Sequence, residues 1–168
     1  PPTEDNTPAL TPRLALKKTG DRIYLGPKVA GRYTLNDVQN PKAEIVFFST
    51  GTGEAPHNGM IIDLLRKGHT GPIISAVVRQ NADLGYADKH RELEERYPNY
   101  HYVPMPTREE GVPKRYLQDL LRDNDFSEQL GVALSPETSH VFLCGNPAMI
   151  GSPEEVDGKQ VFPETVGV

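Results

Sequence analysis

Ile45-Val-Phe-Phe-Ser-Thr-Gly-Thr-Gly-Glu-Ala-Pro56 is the stretch on which the reading of the fold turns. Its first part, Ile45 to Ser49, is apolar or small throughout, as suits a strand buried on both faces of a parallel sheet. Gly51 and Gly53 follow, separated by Thr52, and Pro56 stands where a helix would take its first turn. A buried strand, a glycine turn and a helix N-terminus gather free backbone N–H groups and a positive dipole end, which together favour an anion. A dinucleotide pyrophosphate is the obvious candidate. The pattern departs from G-x-G-x-x-G because Pro56 replaces the third glycine, so spacing alone leaves phosphate binding and a plain strand-to-helix turn both open.

Outward from this stretch, strands and helices alternate. Met60, Ile61, Leu64 and Leu65 mark an amphipathic helix that Gly68 ends, and Ile73–Val78 is a second continuous apolar strand. Tyr86, His90, Leu93 and Tyr97 form the stripe of a second helix, stopped by Pro98, with Glu92 and Arg96 as an i, i+4 pair on its wet face. Tyr100–Val103 is a weaker strand, suited to a sheet edge. Pro113 opens a third helix with Tyr116, Leu117, Leu120 and Leu121 on its stripe. After a helical turn at Phe126–Leu130, Val141–Cys144 is the last clear strand, and Gly145-Asn-Pro147 turns into another helix. The expected fold is α/β, a parallel sheet flanked by helices.

The flanks are different in character. Residues 1–9 are proline-rich and linker-like. Leu14–Leu16, Arg22–Leu25 and Tyr33–Leu35 are short strand candidates, too few to make a stable sheet alone. From Gly151 to Val168 no helical period is sustained, and the sheet stops one element early.

The chain has 168 residues with 18 Lys and Arg against 23 Asp and Glu, a net charge of −5. That balance argues against nucleic acid or an anionic membrane as the main partner. The lone Cys144 excludes an internal disulfide framework and fits a reducing cytoplasm. No apolar run approaches the ~20 residues of a membrane helix, and residues 1–30 lack the pattern of a signal peptide.

In a parallel sheet, ligands bind beyond the C-terminal strand ends. Those ends carry Thr50–Pro56, Arg79, Thr107-Arg108 with Lys114, Arg115 and Tyr116 beyond, and Cys144-Gly145. A site for NAD places an acid about 20 residues past the glycines. Here Arg79 ends the second strand instead, with Arg108, Lys114 and Arg115 available, which favours a 2′-phosphate. A solvated basic loop is the competing reading. From its residue type and place alone, Cys144 reads first as a small buried hydrophobe at a strand end, and nothing marks it as a nucleophile. The five histidines lack metal-ligand spacing, so no metal site is expected.

Four motifs fall in order: Thr50-Gly-Thr-Gly-Glu-Ala-Pro56, Ala82-Asp-Leu-Gly-Tyr86, Thr107-Arg-Glu109 and Ser139-His-Val-Phe-Leu-Cys-Gly-Asn-Pro-Ala-Met149. Together they resemble the Rossmann-like NADP-binding domain of bacterial ferredoxin (flavodoxin)–NADP reductases. Leu10-Thr-Pro-Arg-Leu14, Gly20-Asp21 and Gly31-Arg-Tyr-Thr-Leu35 resemble the last part of that family's flavin-binding β-barrel. The resemblance covers roughly residues 10 to 150. It implies an oxidoreductase that exchanges electrons between NADP(H) and ferredoxin or flavodoxin through FAD. It also implies residues 1–38 as linker and barrel remnant, and 39–168 as an NADP-binding domain truncated at its C-terminus.

By position, the resemblance implies that Gly51, Thr52 and Gly53, with Pro56 at the helix start, face the pyrophosphate. Arg108 would grip the 2′-phosphate, helped by Thr107 and Arg115. Lys114-Arg-Tyr116 resembles the K-x-Y in which the lysine meets phosphate and the tyrosine stacks on adenine. Cys144 and Gly145 would line the nicotinamide position. Two departures qualify this. The R-x-Y-[ST] flavin motif is not found in these residues, nor are the final helix and strand. Glu54 and His57 also stand where an apolar and an aromatic residue are usual. The resulting expectation is a chain that is inactive alone, with its FAD site largely missing. Sister readings are the reductase component of an oxygenase, a flavin reductase, or a non-catalytic nucleotide-binding module. No cysteine cluster supports an iron–sulfur segment.

Overall fold

The computed structural model describes residues 10–28, 30–80, 85–122, 125–151 and 154–161. The residue 1–9 linker expectation, Ala82 to Leu84 of the second motif, and the tail at 152–153 and 162–168 lie outside the described residues. The chain forms two units, 1–33 and 34–168.

In the first unit, Leu14 does not lie in a strand. Leu10–Ala15 is a short helix, α1, and residues 22–25 are likewise outside any strand, as are residues 33–35, where the second unit begins. Short β-prone pieces have no conformation of their own without a partner strand to take their backbone hydrogen bonds.

The second unit is built on four parallel strands: β1 (Glu44–Thr50), β2 (Ile73–Arg79), β3 (Tyr100–Pro106) and β4 (Ser139–Cys144). Their spatial order is β3-β2-β1-β4. The expected parallel α/β sheet is present, with Tyr100–Pro106 at one edge as anticipated, three residues longer than the apolar run suggested. β1 and β2 are the inner strands, and Ile45, Val46, Phe47, Ile73, Ile74 and Val77 are fully buried. That burial on both faces explains their unbroken apolar runs.

Helix α2 (Glu54–Arg66) and α3 (Ala87–Arg96) cover one face. There Ile45, Phe47, Ile73 and Tyr100 pack with Ile61, Leu64 and Leu65. The opposite face carries α4 (Leu117–Arg122), with α5 (Asp125–Gln129) after it in the chain. Val46, Phe48, Ile74, Ala76 and Val78 pack there with Leu117, Leu120 and Val132. Each fully buried Ile, Val, Leu or Phe contributes about 1.5–3 kcal/mol of transfer free energy. Helix α2 ends as its glycine predicts. Gly68 donates its N–H to Leu65 C=O and His69 to Leu64 C=O, the paired bonds of a glycine-closed helix C-terminus.

Three local expectations are corrected. The third helix begins at Leu117, not Pro113, because Asp119 accepts the Tyr116 N–H at 2.7 Å and caps the helix there. Leu121 and Tyr116 are consequently exposed, and the buried stripe is Leu117 and Leu120. Glu92 pairs with Lys89 at 2.7 Å, while the Arg96 guanidinium lies 5.3 Å over the Tyr97 ring, so the expected Glu92–Arg96 pair does not form. Beyond α6 (Pro147–Ile150), β5 (Glu154–Val156) and β6 (Lys159–Val161) make an antiparallel hairpin. Its turn, Asp157-Gly158, has positive φ at both residues, the two-residue hairpin geometry that Asp-Gly favours.

Candidate functional site

The order β3-β2-β1-β4 reverses direction between β1 and β4, because the chain builds outward from β1 to β3 and then crosses back to the far side of β1. At such a switch point the loops beyond the two strands diverge and leave a crevice. The glycine turn sits there. Gly51–Gly53 forms a single 3₁₀ turn between β1 and α2, and Pro56 falls in the first turn of α2, where no intrahelical donor is needed.

The turn is pressed against the end of β4. A Cβ on Gly53 would meet the Cys144 carbonyl oxygen at 2.0 Å and the Gly145 nitrogen at 2.8 Å. Asn146 donates its backbone N–H to Thr50 Oγ1 at 2.7 Å, joining the two loops. The glycine turn ahead of α2 borders open space beside the Cys144-Gly145 turn.

That space is a cleft of about 920 Å³. Gly51, Thr52, Gly53, Arg79, Thr107, Arg108, Lys114, Tyr116, Cys144 and Gly145 all line it. Pro56 and Arg115, also expected at the site, do not. Thr50, Gln80, Gln118, Asn146 and Met149 line it as well. Gln80 and Gln118 carry no signal in the sequence beyond position, past a strand end and along the helix after Lys114, whereas Thr50, Asn146 and Met149 stand within the quoted motifs.

Several of these side chains are already engaged. Thr107 donates both its N–H, at 2.8 Å, and its hydroxyl, at 3.0 Å, to the Arg79 carbonyl. The hydroxyl proton is thus spent on the loop, and Thr107 fixes the approach of Arg108. The Lys114 ammonium lies 5.1 Å from the centroid of the Tyr116 ring, and that ring is 38% exposed. An exposed ring with a cation beside it can stack on a planar base while the ammonium meets an anion. Cys144 is a free, half-buried thiol.

Behind the glycine turn lies a buried polar network. Glu54, the first residue of α2, is fully buried. Its Oε2 accepts from Arg79 Nη2 at 2.7 Å, and its Oε1 accepts from His90 Nε2 at 2.9 Å. His90 Nδ1 lies 2.6 Å from Tyr100 Oη, and the Tyr102 ring stacks on His90 with centroids 4.0 Å apart. Burial pushes the Glu54 carboxyl up, but the hydrogen bonds from His90 and Arg79 outweigh it, so the group titrates below its usual range. His57, buried against Phe47 with ring centroids 4.9 Å apart, is driven down to about 4 by burial, partly opposed by the Glu54 charge. Among the described residues no cluster of His, Cys, Asp or Glu could hold a metal ion. Among them, too, no helix is long and apolar enough to cross a membrane.

A switch-point cleft with a glycine turn on one side and cations on the other defines a dinucleotide-binding α/β domain. Consistently, the oxidoreductase NAD-binding domain family matches residues 47–154, and the chain belongs to that family. The flavodoxin/ferredoxin–NADP reductase of Escherichia coli (strain K12) is 31% identical over 148 residues, covering 84% of this chain and 58% of the relative. The reductase component of phenol 2-monooxygenase from Pseudomonas sp. (strain CF600) is 30% identical over 140 residues, 79% of this chain and 36% of the relative. Among solved structures, a ferredoxin NADP+ reductase from Neisseria gonorrhoeae with bound FAD and NADP superimposes with a TM-score of 0.59. It covers 70% of this chain and 48% of that one at 21% identity, a likeness of fold. The chain thus spans less than two thirds of these relatives' length.

Proposed function

We propose that this chain is the NADP(H)-binding part of a flavoprotein reductase that exchanges electrons between NADP(H) and ferredoxin or flavodoxin through FAD. One observation carries the reading: the glycine turn and the cations Arg108 and Lys114 line one cleft at the sheet's switch point. The residues present fit the nucleotide. The glycine turn that leads into the positive end of the α2 dipole suits the pyrophosphate, the Arg108 guanidinium suits the planar oxygens of a 2′-phosphate, and the exposed Tyr116 ring suits adenine. Flavin, bound in the complete enzyme, would supply the exchange between two-electron and one-electron chemistry. The share of this chain is to bind and orient the nucleotide. Gly53 lets the turn approach the end of β4, and Cys144 and Gly145 shape the wall where the nicotinamide would lie. The lone cysteine suits a reducing cytoplasm.

The match to the oxidoreductase NAD-binding domain family, with the similarity to an oxygenase reductase component, supports a second reading, in which the nucleotide is NADH. Titration with both nucleotides separates the two. NADP+ is expected to bind at least about tenfold more tightly than NAD+, one charged hydrogen-bonded group being worth roughly 1.5–3 kcal/mol. Equal affinities would overturn the 2′-phosphate assignment.

A further inference from the structure

Arg79 reaches the cleft wall, yet its guanidinium faces inward as much as outward. Nη2 is held by Glu54 Oε2 at 2.7 Å. Nε is buried with no hydrogen-bond partner of its own. The fork of Nε and Nη2 that would grip a phosphate side-on is therefore turned away from the ligand. Its counter-charge cannot move aside, because Glu54 is fully enclosed and its other oxygen is held by His90, itself tied to Tyr100 and stacked on Tyr102. Placing Glu54 at the first position of α2 stabilises its charge further through the helix dipole.

We propose that Glu54 is a specificity-determining positioning residue that neutralises Arg79, so that a 2′-phosphate in this cleft depends on Arg108 and Lys114. This rests on the nucleotide reading given above. The pair, with Glu54 enclosed and Arg79 part-exposed at the wall, presents no net charge to the ligand, although Arg79 stands where sequence alone would place a phosphate ligand. The pair fixes the floor beside Thr107, whose two hydrogen bonds end on the Arg79 carbonyl, and so sets the position from which Arg108 extends. The carboxylate acts against 2′-phosphate affinity and in favour of a defined wall.

The test uses 2′,5′-ADP and 5′-ADP as probes, with binding measured by calorimetry. Glu54→Gln is expected to tighten 2′,5′-ADP about fivefold, the scale of one unit charge acting across roughly 10 Å of partly wet protein. Binding of 5′-ADP is expected to change less. Arg79→Gln alone leaves Glu54 as an unmatched negative charge and is expected to weaken 2′,5′-ADP by a similar factor. Adding Glu54→Gln to that variant is expected to restore the loss.

Weaker or unchanged 2′,5′-ADP binding in Glu54→Gln, or a loss of tenfold or more that persists in the double variant, overturns the proposal by making Arg79 a direct ligand. If Glu54→Gln does not fold, the comparison of Arg79→Gln with the double variant decides alone. Replacing both members of a buried pair is far better tolerated than removing one. Failure of the unaltered protein to bind 2′,5′-ADP would overturn the nucleotide reading, and this assignment with it.

Discussion

Gly53 and Cys144 touch backbone to backbone: a Cβ added to Gly53 would lie 2.0 Å from the Cys144 carbonyl oxygen. The loops after β1 and β4 thus meet at a point with no room for a side chain, and the cleft opens beside it. Gly53→Ala must push the end of β4 away. It is expected to destabilise the fold by about 3 kcal/mol, as overpacking against unyielding backbone does, and to abolish nucleotide binding. Gly51→Ala is the control. Gly51 has φ +55 with open space around it, so alanine there costs only about 1–2 kcal/mol of backbone strain. Urea denaturation of the two variants checks the order.

Arg108→Ala is expected to weaken NADP+ by about tenfold or more while leaving NAD+ within about twofold, since only the former carries the group a guanidinium fork matches. Lys114→Ala should show a smaller loss and a shallower salt dependence. Fluorescence titration at two ionic strengths reads both effects. An equal loss for both nucleotides would place Arg108 on the pyrophosphate instead.

His57 makes stability depend on pH. Its folded value, about 4, lies below the ordinary 6.5, so the unfolded chain takes up the proton first. The neutral, buried form is therefore fully favourable above pH 6.5, and its contribution falls away as pH drops from 6.5 toward 4. The span corresponds to about 3 kcal/mol. Glu54 adds in the same direction at lower pH, because its carboxyl is also depressed by its partners. Tm is expected to fall steeply between pH 6.5 and 4, and His57→Phe, which keeps an aromatic ring beside Phe47 and removes the titrating group, is expected to flatten that slope.

Tyr100→Phe removes the hydroxyl that lies 2.6 Å from His90 Nδ1 and leaves the ring in the core. With Glu54 ionised, His90 Nε2 carries a proton to donate, so loss of Tyr100 Oη leaves Nδ1 without this partner. A cost of about 1–3 kcal/mol is expected for a buried group so deprived. Chemical denaturation measures it, and a change within 0.5 kcal/mol, roughly the scatter of surface substitutions, would count against a tight network.

The succession of strands and helices, the stop at Gly68 and the glycine turn before α2 were all legible in the linear order. Each is encoded by neighbours along the chain: apolar runs choose strands, i, i+4 stripes choose helices, and glycines set turns. The strand ends also named most of the cleft, because a parallel sheet must present them on one edge. What failed locally failed for want of a partner: the helix at Leu10–Ala15 replaced a strand with no sheet to join, and the start at Leu117 depended on the Asp119 cap. Only the tertiary structure decided the role of the charges. Glu54 meets Arg79 across 25 residues and His90 across 36, separations that no periodicity or spacing rule relates. Burial then turns three ordinary polar residues into one rigid unit, because an enclosed carboxylate must be matched by partners wherever in the chain they come from.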